Sequence, residues 1–408
     1  MVTIIPFKAL RPQAQFAKQV ASKPYDVLTS AEAKIEAQGN PNSFLHVTKS
    51  EIDLKDNIDV HSQAVYDKAK QNLEAFISRG VLFTESKACY YVYQLVMDGR
   101  AQTGLVCCSS VDDYENDLIK RHEFTRPEKE LDRINHIKTT LGQTGNVFMA
   151  YKKVAGIDEV IEKWKTEKGA VYDFTADDKI RHTIWLINDE KVIIKISDLF
   201  KTNVVATYIA DGHHRAASAV KLRMYLGSDT SSANYFLTTL FPSDQLHILD
   251  YNRMIKDLNG NSDDEFLHKL DANFYGEKSD EPFSPTSPRT FGMYMKGQWY
   301  KLSLKDEEVP IDPVQSLDIS IFEERLLKPV FNIQDQRTDL RIDFIGGIRG
   351  LEELKKRVDS GDMAVAFSFY PVSIEQLFAV ADSGNVMPPK STWFEPKLRD
   401  GLLTHLLV

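Results

Sequence analysis

Five consecutive residues, Asp211-Gly212-His213-His214-Arg215, stand between an apolar run and a helix-like stretch, and their types suit an anionic ligand. The N–H groups at the start of a helix point outward, and the helix dipole favours negative charge there. Gly212 lets backbone approach a ligand closely. His213 and His214 add donors, and the planar fork of Arg215 can grip a phosphate through two parallel N–H groups. Ala216, Ala217 and Ser218 follow, small enough for tight packing of the helix on a sheet. The same residues also fit an ordinary strand-to-helix turn, with Asp211 as the helix cap and the histidines solvated. A zinc site fits poorly, because side chains at i and i+1 diverge on a helix and no Cys/His cluster accompanies them.

The elements that must hold this loop can be read on either side. The apolar run Val204–Ala210 reads as the strand that enters it, and Ala216–Leu226 as the helix that leaves it, ended by Gly227. Tyr235–Phe241 reads as a further strand. Upstream, His61–Arg79 carries apolar residues at helical spacing and closes at Gly80. Cys89–Met97 and Thr103–Cys108 flank Asp98-Gly99, a strong signal for an antiparallel hairpin. A charged helical segment through Glu130 follows, then a second hairpin expected over Ile184–Ile187 and Val192–Ile194. Glu277–Pro288, rich in Ser, Pro, Asp and Glu, reads as a linker. A hairpin around Gly297-Gln298 and helices around 322–327 and 351–358 come after it. These signals predict an α+β (mixed α/β) class and three regions, 1–115, 116–260 and 261–408.

Composition narrows the function classes. The chain has 408 residues, 42% of them hydrophobic, which is enough for a substantial core. Asp and Glu number 59 against 50 Lys and Arg, a net charge of -9 that argues against a general nucleic-acid binder. Cys89, Cys107 and Cys108 lie in strand-like runs without a CxxC pair, favouring buried thiols and a reducing compartment. No basic n-region with a long apolar stretch opens the chain, and no run approaches a membrane span. A cytoplasmic protein without a membrane partner is expected.

Several separated motifs together resemble the DUF1015 family. They are Pro24-Tyr25-Asp26-Val27, His122-Glu123-Phe124-Thr125, the loop 211–215, and Met387-Pro388-Pro389-Lys390-Ser391-Thr392-Trp393-Phe394-Glu395-Pro396-Lys397. The loop after its strand is similar to the phosphate-binding loop of the ParB/sulfiredoxin-like fold, and the family is related to free serine kinases. The resemblance implies a ParB/sulfiredoxin-like core with additional N- and C-terminal regions. Sulfiredoxins place a reactive cysteine directly after the glycine, where this chain has His213, so that chemistry lacks its nucleophile. The acidic balance weighs against a DNA-clamping role.

What the resemblance implies is phosphoryl transfer from ATP or ADP to a free amino-acid hydroxyl, with serine the leading acceptor. The His122-Glu123 pair resembles the His-Glu pair of the serine kinases, making Glu123 the general base and His122 a substrate-positioning or phosphate-contacting group. A charged pair on a helix surface is the alternative, and the pair is not a zincin motif, since Arg126 stands where a second His would fall. Gly212, His213, His214 and Arg215 are expected to cradle the nucleotide phosphates, with Mg²⁺ bridging them and Asp211 as the nearest carboxylate to help hold it. No organic prosthetic group is expected. Lys390 and Ser391, presented after two prolines, are candidate phosphate contacts, whereas Lys397 is expected to stay in water. Asp26 can cap a turn, bind metal or close one wall of the pocket. Asp132 and Arg133 either face the cleft or form a solvated ion pair, and Arg253 reads as half of a structural ion pair. A rival reading is a nucleotide-binding regulatory module with little turnover that docks a protein partner.

Overall fold

The computed structural model describes residues 1–227, 231–305 and 310–407. Its helices and mostly antiparallel sheets are the α+β mixture expected from the sequence. The chain divides into two compact units, one of residues 1–246 with 396–408 and one of residues 247–395.

The first unit is built on a nine-stranded sheet. In chain order its strands are β1 (Ile4–Ile5), β2 (Tyr90–Met97), β3 (Arg100–Ser110), β4 (Ile119–Lys120), β5 (Val147–Tyr151), β6 (Tyr172–Thr175), β7 (Arg181–Ile187), β8 (Thr207–Asp211) and β9 (Tyr235–Pro242). They lie in the order β4-β8-β5-β9-β3-β2-β7-β6, with β1 beside β3. The hairpin β2–β3 turns on Asp98 and Gly99, whose φ values of 50° and 78° are the left-handed pair a tight two-residue turn requires. Helix α1 (Gln63–Ser78) buries Val65, Tyr66, Ala69, Leu73 and Phe76 on one face and stops before Gly80, as its periodicity predicts. Helices α2 (Pro127–Thr140), α3 (Ala155–Glu167), α4 (Glu190–Asn203) and α5 (His213–Leu226) belong to the same unit, beside shorter helices and a small four-stranded sheet. Cys107, Cys108 and Cys89 are buried free thiols, the first two on β3.

Sequence and structure part company at 184–194. The expected second hairpin is a strand, β7, followed by helix α4. The β-branched run Val192-Ile193-Ile194 suggests a strand, but the Asp189 carboxylate accepts the N–H groups of Lys191 (2.9 Å) and Val192 (3.2 Å) and caps a helix there. Val192, Ile193, Ile196 and Phe200 then fall on one face against the core, so tertiary burial overrides local β-propensity. Two further boundaries move. The strand into the loop is Thr207–Asp211, and the helix after it begins at His213 instead of Ala216.

The second unit holds a six-stranded sheet of β10 (Tyr251–Ile255), β11 (Phe274–Ser279), β12 (Thr290–Met295), β13 (Gln298–Leu304), β14 (Ile342–Gly346) and β15 (Val365–Phe369), ordered β11-β13-β12-β15-β10-β14. The hairpin expected at Gly297-Gln298 is β12–β13. The linker expected at Glu277–Pro288 is not one: Glu277–Ser279 belong to β11, and the stretch lies inside this unit. Among the described residues no helix is long and apolar enough to cross a membrane.

Candidate functional site

Strand pairing explains how residues about ninety positions apart come together. Short β4 runs parallel to β8, with Ile119 opposite Thr207 and Tyr208 opposite Lys120. Parallel neighbours release the chain at the same sheet end, so Arg121-His122-Glu123 leaves beside Asp211-Gly212-His213. The carboxyl ends of parallel strands are where α/β sheets place ligands.

Gly212 is the N-cap of α5 with φ 97° and ψ 31°, and no side chain caps the helix. Asp211 therefore does not serve as the cap. A β-carbon on Gly212 would also lie 3.0 Å from Cζ and Nε of Arg215, so the position demands glycine both for its backbone and for its space.

Asp211 has other work. Its Oδ2 lies 2.9 Å from Nζ of Lys397 and 3.6 Å from Nη2 of Arg215. Lys397, expected in water, is thus one of the two cations that fix this carboxylate. Burial alone would raise the Asp211 carboxyl, but Lys397 and Arg215 outweigh it and hold the group well below the usual carboxylate range. Arg215 is buried. It donates to the Asn146 carbonyl and lies 3.5 Å from Asp26 Oδ2. Burial works against its charge, and Asp26, Asp211, Tyr25 and Asp400 together more than offset that, so the guanidinium is raised above its ordinary value. Asp400 is buried beside it, and burial pushes its carboxyl up to about 7. Gly145 leaves room here: a β-carbon there would stand 3.3 Å from both Arg215 Cδ and Asp400 Oδ1. Three buried polar atoms around this guanidinium have no hydrogen-bond partner among the described residues: Arg215 Nε, Asn146 Oδ1 and Asp400 Oδ2.

The two histidines of the loop act as anchors. Nε2 of His213 accepts the His122 N–H at 3.4 Å, and Nε2 of His214 accepts the Arg126 N–H at 3.0 Å. The stretch His122–Arg126 is thereby pinned at both ends, with Glu123, Phe124 and Thr125 between the pins. Because Nε2 of His213 accepts, its ring proton sits on Nδ1, 3.5 Å from Glu123 Oε2. The His122 and His213 rings meet edge to face, 4.6 Å between centroids. Burial lowers both imidazoles, His122 to about 4 and His213 well below its ordinary value, and also lowers His214. At neutral pH all three offer neutral N–H groups and lone pairs, so the cationic charge at the loop belongs to Arg215 and Lys397. Nδ1 of His122 is buried without a hydrogen-bond partner among the described residues.

The remaining sequence candidates separate. Asp132 and Arg133 form a buried pair at 2.6 Å instead of a solvated one, and Arg133 stacks on Tyr25 at 3.9 Å. Both belong to the first unit, as do Tyr25 and Asp26. Lys390 and Ser391 belong to the second unit. There the Ser391 hydroxyl donates to the Pro388 carbonyl (2.5 Å), and Lys390 lies over Tyr251. Among the described residues, Arg253 has no carboxylate in its hydrogen-bond set. It donates to the carbonyls of Tyr251 (2.6 Å) and Pro389 (3.3 Å) and to Gln336 Oε1 (3.3 Å), between the rings of Phe344 and Phe369. Among the described residues no group of three or more His, Cys, Asp or Glu side chains is arranged to hold a metal ion.

Comparison with known proteins gives the chain its family. Residues 4–320 match the family described as "Protein of unknown function (DUF1015)", and the chain belongs to it. No curated protein matches the sequence. Among solved structures, the chain is similar to SbnI with a C-terminal truncation from Staphylococcus aureus, at 13% identity and a TM-score of 0.41, covering 74% of this chain and 87% of that one. It is also similar to a free serine kinase in complex with AMP, at 13% identity and a TM-score of 0.36, covering 73% and 92%. A third is a conserved hypothetical protein from Pyrococcus furiosus, at 12% identity and a TM-score of 0.34, covering 74% and 94%.

Proposed function

From membership of this family and the chemistry of the loop, we propose that the protein is a small-molecule kinase that moves the terminal phosphoryl group of ATP or ADP to a free amino-acid hydroxyl, L-serine first among the acceptors. The observation that carries this reading is the 3.5 Å approach of Glu123 Oε2 to Nδ1 of His213, which sets a carboxylate from one strand end beside the glycine turn of another. Phosphoryl transfer asks mainly for positioning, charge neutralisation and a base for the hydroxyl proton, and this pairing offers all three. The loop is read as a ParB/sulfiredoxin-like phosphate loop, a reading supported by the left-handed Gly212 between a buried strand and an uncapped helix start.

In the proposed reaction the acceptor oxygen attacks the terminal phosphorus, the bond to the bridging oxygen breaks, and the hydroxyl proton passes to Glu123. The neutral His213 Nδ1–H orients that carboxylate, and the backbone of Gly212 and His213 lies close to the phosphates. Arg215, held firmly protonated, neutralises charge on the group in flight. Mg²⁺ enters as part of the nucleotide substrate, needing few protein ligands. Asp211 and Asp26 are the nearest carboxylates, and both are shared with Arg215.

The test is incubation of the protein with ATP or ADP, Mg²⁺ and L-serine, with O-phosphoserine as the readout. Product from the wild-type chain and none from Glu123→Ala or Arg215→Ala is expected. Nucleotide binding without product from the wild type would replace the kinase with the regulatory module.

A further inference from the structure

Glu123 is open to water, with 59% of its side chain exposed. A general base so placed faces a competitor, because water can take the phosphoryl group as readily as the intended hydroxyl unless it is kept out. The residue next to it is apolar and just as open. Of the chain's 22 phenylalanines, all of them among the described residues, Phe124 alone is exposed, at 72%. Leaving a ring of that size in water forgoes about 2 kcal/mol of burial. A sequence that buries or half-buries every other phenylalanine leaves this one out beside the proposed base.

The local backbone gives that ring a way to act. Its strap is fastened at two points, by His213 Nε2 to the His122 N–H and by His214 Nε2 to the Arg126 N–H. Thr125 is tied to Glu130 just before the second fastening. Between the pins, Glu123 and Phe124 are carried together, so a movement that brings the carboxylate to an acceptor brings the ring with it. We propose that Phe124 is a specificity-determining residue: it closes over the acceptor and the phosphoryl group, excluding water and directing transfer to the amino-acid hydroxyl. In its absence the oxygen of water attacks the same phosphorus, the same bridging bond breaks, and inorganic phosphate leaves in place of the phosphorylated amino acid. This inference rests on the kinase reading and adds to it the choice between two acceptors.

The experiment supplies ATP, and in parallel ADP, with Mg²⁺ and L-serine, and measures O-phosphoserine and inorganic phosphate from the same reactions. Phe124→Ala is expected to raise the ratio of phosphate to phosphoserine by about tenfold or more, the scale on which an apolar contact discriminates substrates. Phe124→Leu, which keeps an apolar cover, is expected to stay near the wild-type ratio, and Met224→Ala, an exposed apolar residue elsewhere (81%), to match the wild type. An unchanged ratio in Phe124→Ala, or a parallel fall of both products, would overturn the proposal while leaving the kinase reading intact. A wild-type chain that makes neither product would overturn both.

Discussion

Arg215 and Arg253 are both buried arginines on or beside a sheet, and their surroundings differ in kind. Arg215 sits at the ends of β4 and β8 with Asp26 and Asp211 within 3.6 Å, and Asp400 buried nearby. Arg253 is fully buried on β10, with carbonyls, Gln336 and two phenylalanine rings for company, and burial pulls its guanidinium down to about 9. The first is a charge built into a network that still leaves its Nε unmet. The second is closed off. A buried cation with matched anions at strand ends can serve a ligand, whereas one sealed among aromatic rings serves packing.

The comparison can be broken most directly at the proposed base. Glu123→Gln is expected to lower transfer by about 10²–10⁴-fold, the usual worth of a general base, while the melting temperature stays put, since the side chain is exposed. Arg215→Met should cost about 3 kcal/mol of stability in the first unit, because it leaves the buried Asp400 and the half-buried Asp211 without this cation. Arg253→Met, measured by the same thermal unfolding, should cost less, about 1–3 kcal/mol, because it strands the uncharged acceptors Tyr251 O, Pro389 O and Gln336 Oε1 and no carboxylate. An equal loss from both would erase the distinction drawn here. Gly212→Ala should cost about 1–3 kcal/mol through its positive φ and its contact with Arg215, and lower nucleotide binding with it.

Acidification acts through His122 on stability alone. His122 has a folded pKa of about 4, below its unfolded value near 6.5. The unfolded chain therefore binds the extra proton first. Stability is fully present above about pH 6.5 and falls as pH drops towards 4, by up to about 1.4 kcal/mol per pH unit from this group. His122→Phe should flatten that part of the pH–stability curve, and an unaltered slope would reject the assignment.

Legibility followed the range of the interactions. The β2–β3 hairpin was readable because Asp98-Gly99 specifies its own turn, and α1 because five apolar residues share a 3.6-residue period. The glycine turn at 212 was readable for the same local reason. Helix α4 was misread because its cap and its packing outweighed three β-branched residues. Most of the site's electrostatics lay out of reach. Nothing near Lys397 points to Asp211, 186 positions away, and the preference for solvated lysines led to the wrong expectation. The pairing of β4 with β8, which brings Glu123 to the loop, rests on two residue pairs in a strand of two residues, too short to show as a period. Likewise, a histidine next to a glycine turn suggests a cationic donor, and only its burial reveals a neutral acceptor.

The Lys397–Asp211 bond has a consequence for biosynthesis. Asp211 leaves the ribosome long before Lys397, and the whole of residues 247–395 must be synthesised in between. Thr404–Leu406 then supplies a strand that pairs with Ala9–Pro12 on one side and Gly142–Gln143 on the other. A nascent chain can fold its hairpin and helices early, yet it carries an unfinished charge cluster until the closing segment emerges. A chain truncated before residue 396 would therefore lack Lys397, one of the two cations on Asp211, and the strand Thr404–Leu406 at once.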